Sequence, residues 1–440
     1  MATLKRTLSL GSVVLFGIAY MTPIIVLGTF GILADATGGL VPAAYLAAAV
    51  AMLFTALSYG NMARAFPVAG SAYTYVRKSI SPQLGFITGW AVLLDYLFLP
   101  MAIWLIGAAY LHSAFPDVPQ ALWVLAFIGV TTGINVIGLR LAKTVNGLLM
   151  FIQLLVLAAF VGLAIRYVWG DASTPLWSLA PFYKEGAQLP LIMGGAAIAC
   201  YSFLGFDAVS TLTEETREPR KNIPKAILLI TLIGGALFIA CSYFVQLAHP
   251  STDFANIDAA AYEIARNIGG DLFVSLFLLG LIVGQFTSGL SAQASASRLL
   301  FAMGRDGVLP KAFFGRLSER FSTPVPSIIL CGLVALLALR MDVTTSTSFI
   351  NFGAFLAFSL VNLAVIFHYW LAKKQRGSRA LLLYLVFPLF GLASNLWLMA
   401  SLDHLALYLG AGWLCLGLLY LAVLTQGFRR PPPEMSFEEA

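Results

Sequence analysis

Apolar stretches of about 20 residues recur from one end of this chain to the other, and each is long enough to cross the hydrocarbon core of a bilayer. They run near 12–34, 41–61, 84–112, 121–138, 145–168, 188–213, 226–248, 271–302, 325–340, 347–371, 380–402 and 405–427. Inside lipid each backbone N–H and C=O must be satisfied within its own segment, so spans of this length are helices. The expected fold class is an all-α integral membrane protein of about twelve transmembrane helices. No stretch between them fits a soluble domain: the longest polar segments are the link around Arg217–Lys225, the Met303–Pro326 segment and a Pro-rich tail. A single polytopic domain, 1–440, is therefore expected. The first run is too long and too punctuated by Gly and Pro for a cleavable leader and reads as the first span. Composition agrees: 60% hydrophobic, 10% charged and a mean hydropathy of +0.88 are far from a soluble mixture.

Orientation follows from the basic residues. With Lys5 and Arg6 in the cytoplasm, the same side collects 22 of the 26 Lys and Arg, leaving Arg166, Lys184, Arg266 and Arg340 outside. Both termini are then cytoplasmic, and the net charge of +6 needs no nucleic acid. The outer loops hold ten acids against those four bases, a balance that concentrates cations at the entrance or simply reflects exclusion of bases from translocated loops. The four cysteines lie within spans and read as packing residues, and nothing in the chain points to a metal or cofactor.

Two acids break the apolar pattern. Asp95 sits in Gly89-Trp90-Ala91-Val92-Leu93-Leu94-Asp95-Tyr96-Leu97-Phe98-Leu99-Pro100, and Asp207 in Tyr201-Ser202-Phe203-Leu204-Gly205-Phe206-Asp207-Ala208. A carboxylate at bilayer depth costs roughly 3 kcal/mol on insertion scales and is tolerated where it meets a cavity or a partner. No Lys or Arg lies near the middle of any span to pair with them. The partner is then a cation from outside the chain: a substrate, a proton, or both. Asp95 also reads as a structural acid bonded to neighbouring hydroxyls, and Asp207 as a fixture of an unwound segment. His368 and His404 lie near span ends, and Glu214 and Glu215 sit among cytoplasmic bases as loop or gate ion pairs.

Helix-disfavouring residues interrupt two spans in corresponding places. The first carries Gly17-Ile18-Ala19-Tyr20-Met21-Thr22-Pro23, then Gly28 and Gly31; the sixth runs from Gly194-Gly195 through Ser202 and Gly205. Such pairs mark the mid-membrane site of secondary transporters built from inverted repeats. Repeat 1 would cover about 12–168 and repeat 2 about 188–371, with two additional helices over about 380–427.

Three motifs carry a resemblance. They are Phe66-Pro67-Val68-Ala69-Gly70-Ser71-Ala72-Tyr73-Thr74-Tyr75 with Gly85-Phe86 and Gly89-Trp90; Gly205-Phe206-Asp207 with Glu214-Glu215 and the run Pro219–Ile227; and Ser297–Leu300 with Met303–Pro310. The chain resembles the amino acid–polyamine–organocation (APC) transporters. Around Tyr20, Asp95 and Asp207 it is similar to their bacterial putrescine-importer branch. The resemblance implies a leucine-transporter-type 5+5 inverted repeat with broken helices 1 and 6, proton-linked alternating access, and residence in the plasma (inner) membrane. It also implies a position for Tyr201 near an aromatic gate and for Asp207 near a proton-sensing acid. Where some relatives carry a Lys in span 5, this chain has Gln153.

Amino-acid carriers of the family hold the α-carboxylate on free N–H groups at a Gly-rich break in span 1. Here Pro23 has no N–H, and β-branched Ile24, Ile25 and Val26 crowd the backbone. The site suits a small cationic substrate without a carboxylate, a diamine. Asp95 and Asp207 would take the two ammonium ends and carry the coupled proton. Tyr20, Tyr96, Tyr201, Phe203 and Phe206 would offer ring faces, although intramembrane aromatics commonly just pack. Thr22, Ser202 and Gln285 complete the candidate set, Gln285 and Thr287 reading equally as polar glue between helices. An amino-acid permease or exchanger on the same fold is the second reading. A membrane-embedded hydrolase is the remote one, since no Gly-x-Ser-x-Gly elbow, paired metal ligands or P-loop occurs.

Overall fold

The computed structural model describes residues 6–138, 143–170 and 175–434, with the side chains of 143–146 left aside. Arg140, Lys5 and Asp171, which entered the charge balance above, lie outside the described residues. The described chain is helical throughout, and eleven helices are long and apolar enough to span a membrane. They are Leu10–Gly28, Val41–Ala65, Pro82–Ala114, Gln120–Ile137, Gly147–Gly170, Leu189–Glu214, Pro219–Ala248, Ile257–Arg305, Val343–Ala372, Ser378–Ala400 and His404–Leu424. The expected ninth span is a shorter apolar helix, Val325–Leu339, whose last turn is 3-10. For continuity the segments are numbered spans 1 to 12, with Val325–Leu339 as span 9.

Several spans outrun their apolar stretch. Span 7 begins at Pro219, not near 226, because Pro at the first helical position is pre-organised for a helix start. Span 8 is preceded by a lead-in helix from Ala260. The two meet at Gly270, whose φ of 71° and ψ of −172° break the helix just before the expected start at 271. A short helix, Ser71–Ser79, joins spans 2 and 3; the apolar count could not reveal it.

Both expected interruptions are present, narrower than the sequence suggested. Span 1 stops at Tyr20, resumes over Ile25–Gly28, and continues as Phe30–Thr37. Span 6 is α-helical over Leu189–Ala199, so Gly194 and Gly195 do not break it. Gly195 instead lets Thr37 and Ala44 approach closely. The sixth-span break is a 3-10 turn at Cys200–Phe203, a non-helical link, and a 3-10 helix at Ala208–Glu214.

Packing pairs each early span with the one five places later. The Leu10–Tyr20 segment packs on Ala208–Glu214 and Phe30–Thr37 on Leu189–Ala199; span 2 packs on span 7, span 3 on span 8, and span 4 on span 9. Span 3 also packs on span 10 and so lies deep in the bundle. Spans 5 and 12 turn apolar side chains outward, among them Phe151, Leu155, Leu419 and Val423, as lipid-facing helices do. Span 12 docks on span 3 through two stacked indoles: Trp90 Nε1 donates to the Trp413 carbonyl at 2.9 Å and Trp413 Nε1 to the Trp90 carbonyl at 3.0 Å. Polar side chains tie spans 2, 10 and 11 together. Ser58 Oγ donates to Asn362 Oδ1 at 2.6 Å, and Asn395 Nδ2 to Thr55 Oγ1 at 3.0 Å, the interhelical bonding that lipid-embedded helices favour.

Both described ends of the chain meet the same face. Leu8 pairs with the link after span 6: its N–H donates to the Glu215 carbonyl and its carbonyl accepts from the Arg217 N–H, each at 3.0 Å. The tail reaches the short helix after span 2, where Arg77 faces Glu434 at 3.8 Å. Arg6, Pro67 and Glu218 line one shared hollow on that face.

Candidate functional site

The two breaks and the middle of span 3 bring the acids together. Asp95 lies in span 3 and Asp207 at the C-terminal side of the sixth-span break, close enough to interact electrostatically. Tyr20, on the last turn before the first break, stands beside Asp95, Asp207 and Tyr96. Tyr96 faces Tyr20 and both acids, and Tyr201 faces Asp95. Three sequence segments thus contribute five of the expected residues to one cluster. Asp95, Asp207, Tyr20 and Tyr96 keep partial exposure.

The Asp95 oxygen Oδ1 is enclosed and has no hydrogen-bond partner among the described residues. Neither acid takes part in an ion pair among those residues. A buried charged acceptor left unsatisfied costs more than the 1–3 kcal/mol or so of a neutral one. Pro100, within span 3, has no N–H to give to the carbonyl four residues back. That carbonyl belongs to Tyr96, so a second acceptor is freed one residue from Asp95.

Backbone geometry explains why the breaks form. Thr22 is held at φ 47°, a left-handed conformation unusual for a Thr, and Pro23 follows it. Gly205 has φ 107°, and a Cβ there would overlap Tyr20 Cδ1. Gly205 is therefore the point where the sixth-span link passes directly under the Tyr20 ring.

The donors around the first break are committed locally. The Met21 N–H goes to the Gly17 carbonyl, Thr22 to Ala19 and Ile25 to Thr22. At the sixth break, Leu204, Phe206 and Ala208 donate to Tyr201, Phe203 and Gly205. The Asp207 carboxyl itself lies beside the amides of Gly205 and Asp207 and beside Tyr59. The chain's own carboxylate thus stands where a substrate carboxylate would look for N–H groups.

The remaining expected residues lie elsewhere. Phe206 is 0% exposed, packed edge-on to Tyr59 and against Phe358, and Phe203 is 1% exposed against Phe238. Neither ring borders open space: Phe203 turns into the helix packing at the end of the 3-10 turn and Phe206 does so from the non-helical link. Ser202 Oγ is bonded to the Tyr45 hydroxyl at 3.0 Å. Thr22 Oγ1 donates to the Tyr20 carbonyl at 3.4 Å. Gln285, 1% exposed, has Nε2 without a partner among the described residues and stands next to Gly28 and Gly107. Gly107 is twelve residues past Asp95 on span 3, about 18 Å along the helix, so Gln285 belongs to a different level of the bundle. Gln153 packs its amide against Gly284 of span 8. In the link after span 6 the ion pair is Glu218–Lys221 at 3.2 Å, whereas Glu215 contributes its carbonyl to Leu8.

Sequence reasoning missed Tyr59 and Tyr75. The Tyr59 hydroxyl faces Asp207, and Tyr75, on the short helix between spans 2 and 3, also lies near that acid. Their sequence neighbourhoods, Ser58-Tyr59-Gly60 and Thr74-Tyr75-Val76, carry no periodic or charge signal that points to an acid more than a hundred residues away.

A separate cavity of about 450 Å³ lies at the far ends of spans 1 and 10 and is lined by Asp35, Asp258, Asp342, Asn256 and Phe254. It reaches Ile198, three residues before Tyr201. Three acids therefore line a cavity that borders the helical segment just before the sixth-span break.

The profile of the amino acid permease family matches residues 12–428. The chain belongs to that family. It is 41% identical over 434 residues to the low-affinity putrescine importer PlaP of Escherichia coli (strain K12), which covers 98% of this chain and 96% of that protein. It is 29% identical over 396 residues to the branched-chain amino acid permease BcaP of Bacillus subtilis (strain 168), covering 85% and 82%. With the methylthioribose transporter of the same organism the identity is 27% over 441 residues, covering 95% and 93%. The resemblance read from the motifs of spans 2, 6 and 8 thus extends over the whole chain. This is a multi-pass membrane transporter of the APC superfamily.

Proposed function

We propose that this protein imports putrescine or a closely similar diamine across the plasma (inner) membrane by proton-coupled alternating access. The observation that carries the reading is the enclosed Asp95 carboxyl oxygen near a second carboxylate, with no hydrogen-bond partner for that oxygen and no basic group paired to either acid among the described residues. A diammonium substrate satisfies what the chain leaves open. One ammonium bonds to Asp95 and the freed Tyr96 carbonyl. The aliphatic middle lies against the rings of Tyr20, Tyr96 and Tyr201, whose faces attract cations. The other ammonium approaches Asp207. Similarity over nearly the full length to PlaP, a low-affinity putrescine importer, supports the substrate class.

Asp207 is assigned the coupled proton. It occupies the sixth-span break, where charge and local backbone geometry are linked, so protonation biases one conformation over another. Burial favours the neutral acid and a nearby ammonium favours the carboxylate, which gives proton and substrate opposite effects on the same group. The proposed architecture is an inverted repeat of spans 1–5 and 6–10 with two appended helices. The packing of spans 1 to 4 on spans 6 to 9 supports it, because a pseudo-two-fold axis in the membrane plane brings such partners together. Both termini are assigned to the cytoplasm, on the face that holds Arg6, Arg77 and the Arg217–Lys225 link.

The test is uptake of labelled putrescine by proteoliposomes containing the purified protein, with and without an imposed inward proton gradient. Concentrative uptake that collapses when the gradient is dissipated is expected. Equilibration to the same level under both conditions would remove the proton from the mechanism, and no uptake at all would remove the substrate.

A further inference from the structure

Four buried hydroxyls lie between Asp207 and the face that holds the chain ends, and none has a hydrogen-bond partner among the described residues: Tyr59, Tyr75, Ser79 and Ser210. Tyr59 and Tyr75 are each 0% exposed, with rings edge-to-face at 6.1 Å. Ser210 is likewise 0% exposed and sits one turn past Asp207, its N–H donating to the Asp207 carbonyl at 2.9 Å. The Tyr59 hydroxyl faces the Asp207 carboxyl, and the Tyr75 hydroxyl faces Ser210, in each case without closing a direct bond. Ser79 shares the Tyr75 face of the short helix, four residues on, and belongs to a part-exposed residue at the helix end. One unsatisfied buried hydroxyl costs about 1–3 kcal/mol. Hydroxyls both donate and accept, so a run of them leading from an acid toward the surface can pass a proton along.

We propose that Tyr59, Ser210, Tyr75 and Ser79 form the route by which the proton carried on Asp207 leaves for the cytoplasm. This rests on the assignment of Asp207 as proton carrier and of the chain-end face as cytoplasmic. The step conserves every group. Protonated Asp207 gives its proton to the Tyr59 oxygen as the Tyr59 hydroxyl proton passes onward. Ser210, Tyr75 and Ser79 repeat the exchange, with water bridging where hydroxyls do not touch directly, and the last proton goes to cytosolic water. Asp207 ends as carboxylate and every hydroxyl ends neutral. The charged and titratable groups facing Asp207 are Tyr20 from span 1, Tyr59 from span 2, Tyr75 from the short helix, and Asp95 and Tyr96 from span 3. Asp95 is the one other acid among them, and under the proposed function it takes the substrate ammonium. Tyr59 and Tyr75 relay the proton in this scheme and do not touch the diamine.

The variants Tyr59→Phe, Tyr75→Phe and Ser210→Ala remove hydroxyls and keep the packing. In proteoliposomes, the rate of putrescine uptake driven by a proton gradient should fall about a hundredfold in Tyr59→Phe, the low end for loss of a positioned proton-transfer partner. Counterflow exchange of labelled for unlabelled putrescine, which needs no net proton movement, should persist, and the dependence of uptake on internal pH should flatten. Tyr75→Phe and Ser210→Ala give the same reading should Tyr59→Phe fail to fold. Wild-type accumulation and an unchanged pH profile in all three would overturn the route. Asp207→Asn separates the two levels. If it still accumulates putrescine with wild-type pH dependence, the carrier assignment itself fails. If it does not, while the hydroxyl variants behave as wild type, only the route fails.

Discussion

Asp95 and Asp207 have the same chemistry and unequal surroundings, and the inequality separates their roles. Asp95 keeps an enclosed oxygen with no partner among the described residues, whereas Asp207 has the Gly205 amide and the Tyr59 hydroxyl at hand. Removing the charge at Asp95 while keeping its size should therefore remove the ammonium partner itself. In Asp95→Asn, putrescine uptake is expected to fall at least about a hundredfold, the scale of a lost charge-assisted bond of roughly 3 kcal/mol, with membrane insertion and detergent elution profile unchanged. Asp95→Glu should keep part of the activity, since one methylene displaces the carboxylate. Near-normal uptake by Asp95→Asn would end its assignment as the substrate anchor. In Asp207→Asn, exchange should outlive concentrative uptake; measuring both in one vesicle preparation reads the difference. Both acids were legible in the sequence because a charge in an apolar run has no bland explanation as large as its cost. The rings were only half legible. Tyr20, Tyr96 and Tyr201 surround the acids as expected, whereas Phe203 and Phe206, four residues and one residue before Asp207, turn into the packing. Composition cannot tell which side of the break a residue takes.

The interruptions of spans 1 and 6 were visible as clusters of Gly, Pro and Thr, but their limits were set by contacts the sequence does not display. Gly194 and Gly195 read as breakers and are helical, because Gly195 serves close approach to Thr37 and Ala44. Gly205 does break the helix, at a φ only glycine adopts readily. The short helix Ser71–Ser79 and the lead-in helix at Ala260 escaped notice for one reason: neither is apolar enough or long enough to span, and length with apolarity was the signal in use. Gly205 gives the sharpest test at this scale. Gly205→Ala adds a methyl that meets Tyr20 and holds a left-handed φ that costs about 1–3 kcal/mol. The break should shift and Tyr20 should move off the acids. A lower thermal midpoint in detergent and loss of most putrescine uptake are expected, and a variant with normal stability and uptake would mean the link does not need this path.

Across the whole molecule, acids recur from the cavity that reaches Ile198 to the cluster between the two breaks. The cavity at the start of span 10 holds Asp35, Asp258 and Asp342, and the cluster beyond Ile198 holds Asp95 and Asp207. A diamine meets attraction at each stage. A diamine that also bears an α-carboxylate does not. Its carboxylate would enter a site whose N–H groups at Met21, Thr22, Ile25, Leu204 and Phe206 already serve local carbonyls, with Pro23 offering none. It would also stand near two carboxylates: like charges about 4 Å apart repel by about 4 kcal/mol at an effective dielectric of 20, and partial rearrangement leaves a share of that. Ornithine differs from putrescine by that one carboxylate. It should therefore compete with labelled putrescine at least about tenfold more weakly, a difference of roughly 1.4 kcal/mol, and the gap should persist in high salt because the groups are buried, not screened. Competition curves for putrescine, ornithine and lysine in the same vesicles measure this directly. Equal potency of ornithine and putrescine would mean that the first-span break opens its N–H groups to substrate, and would move the protein to the amino-acid branch of its family.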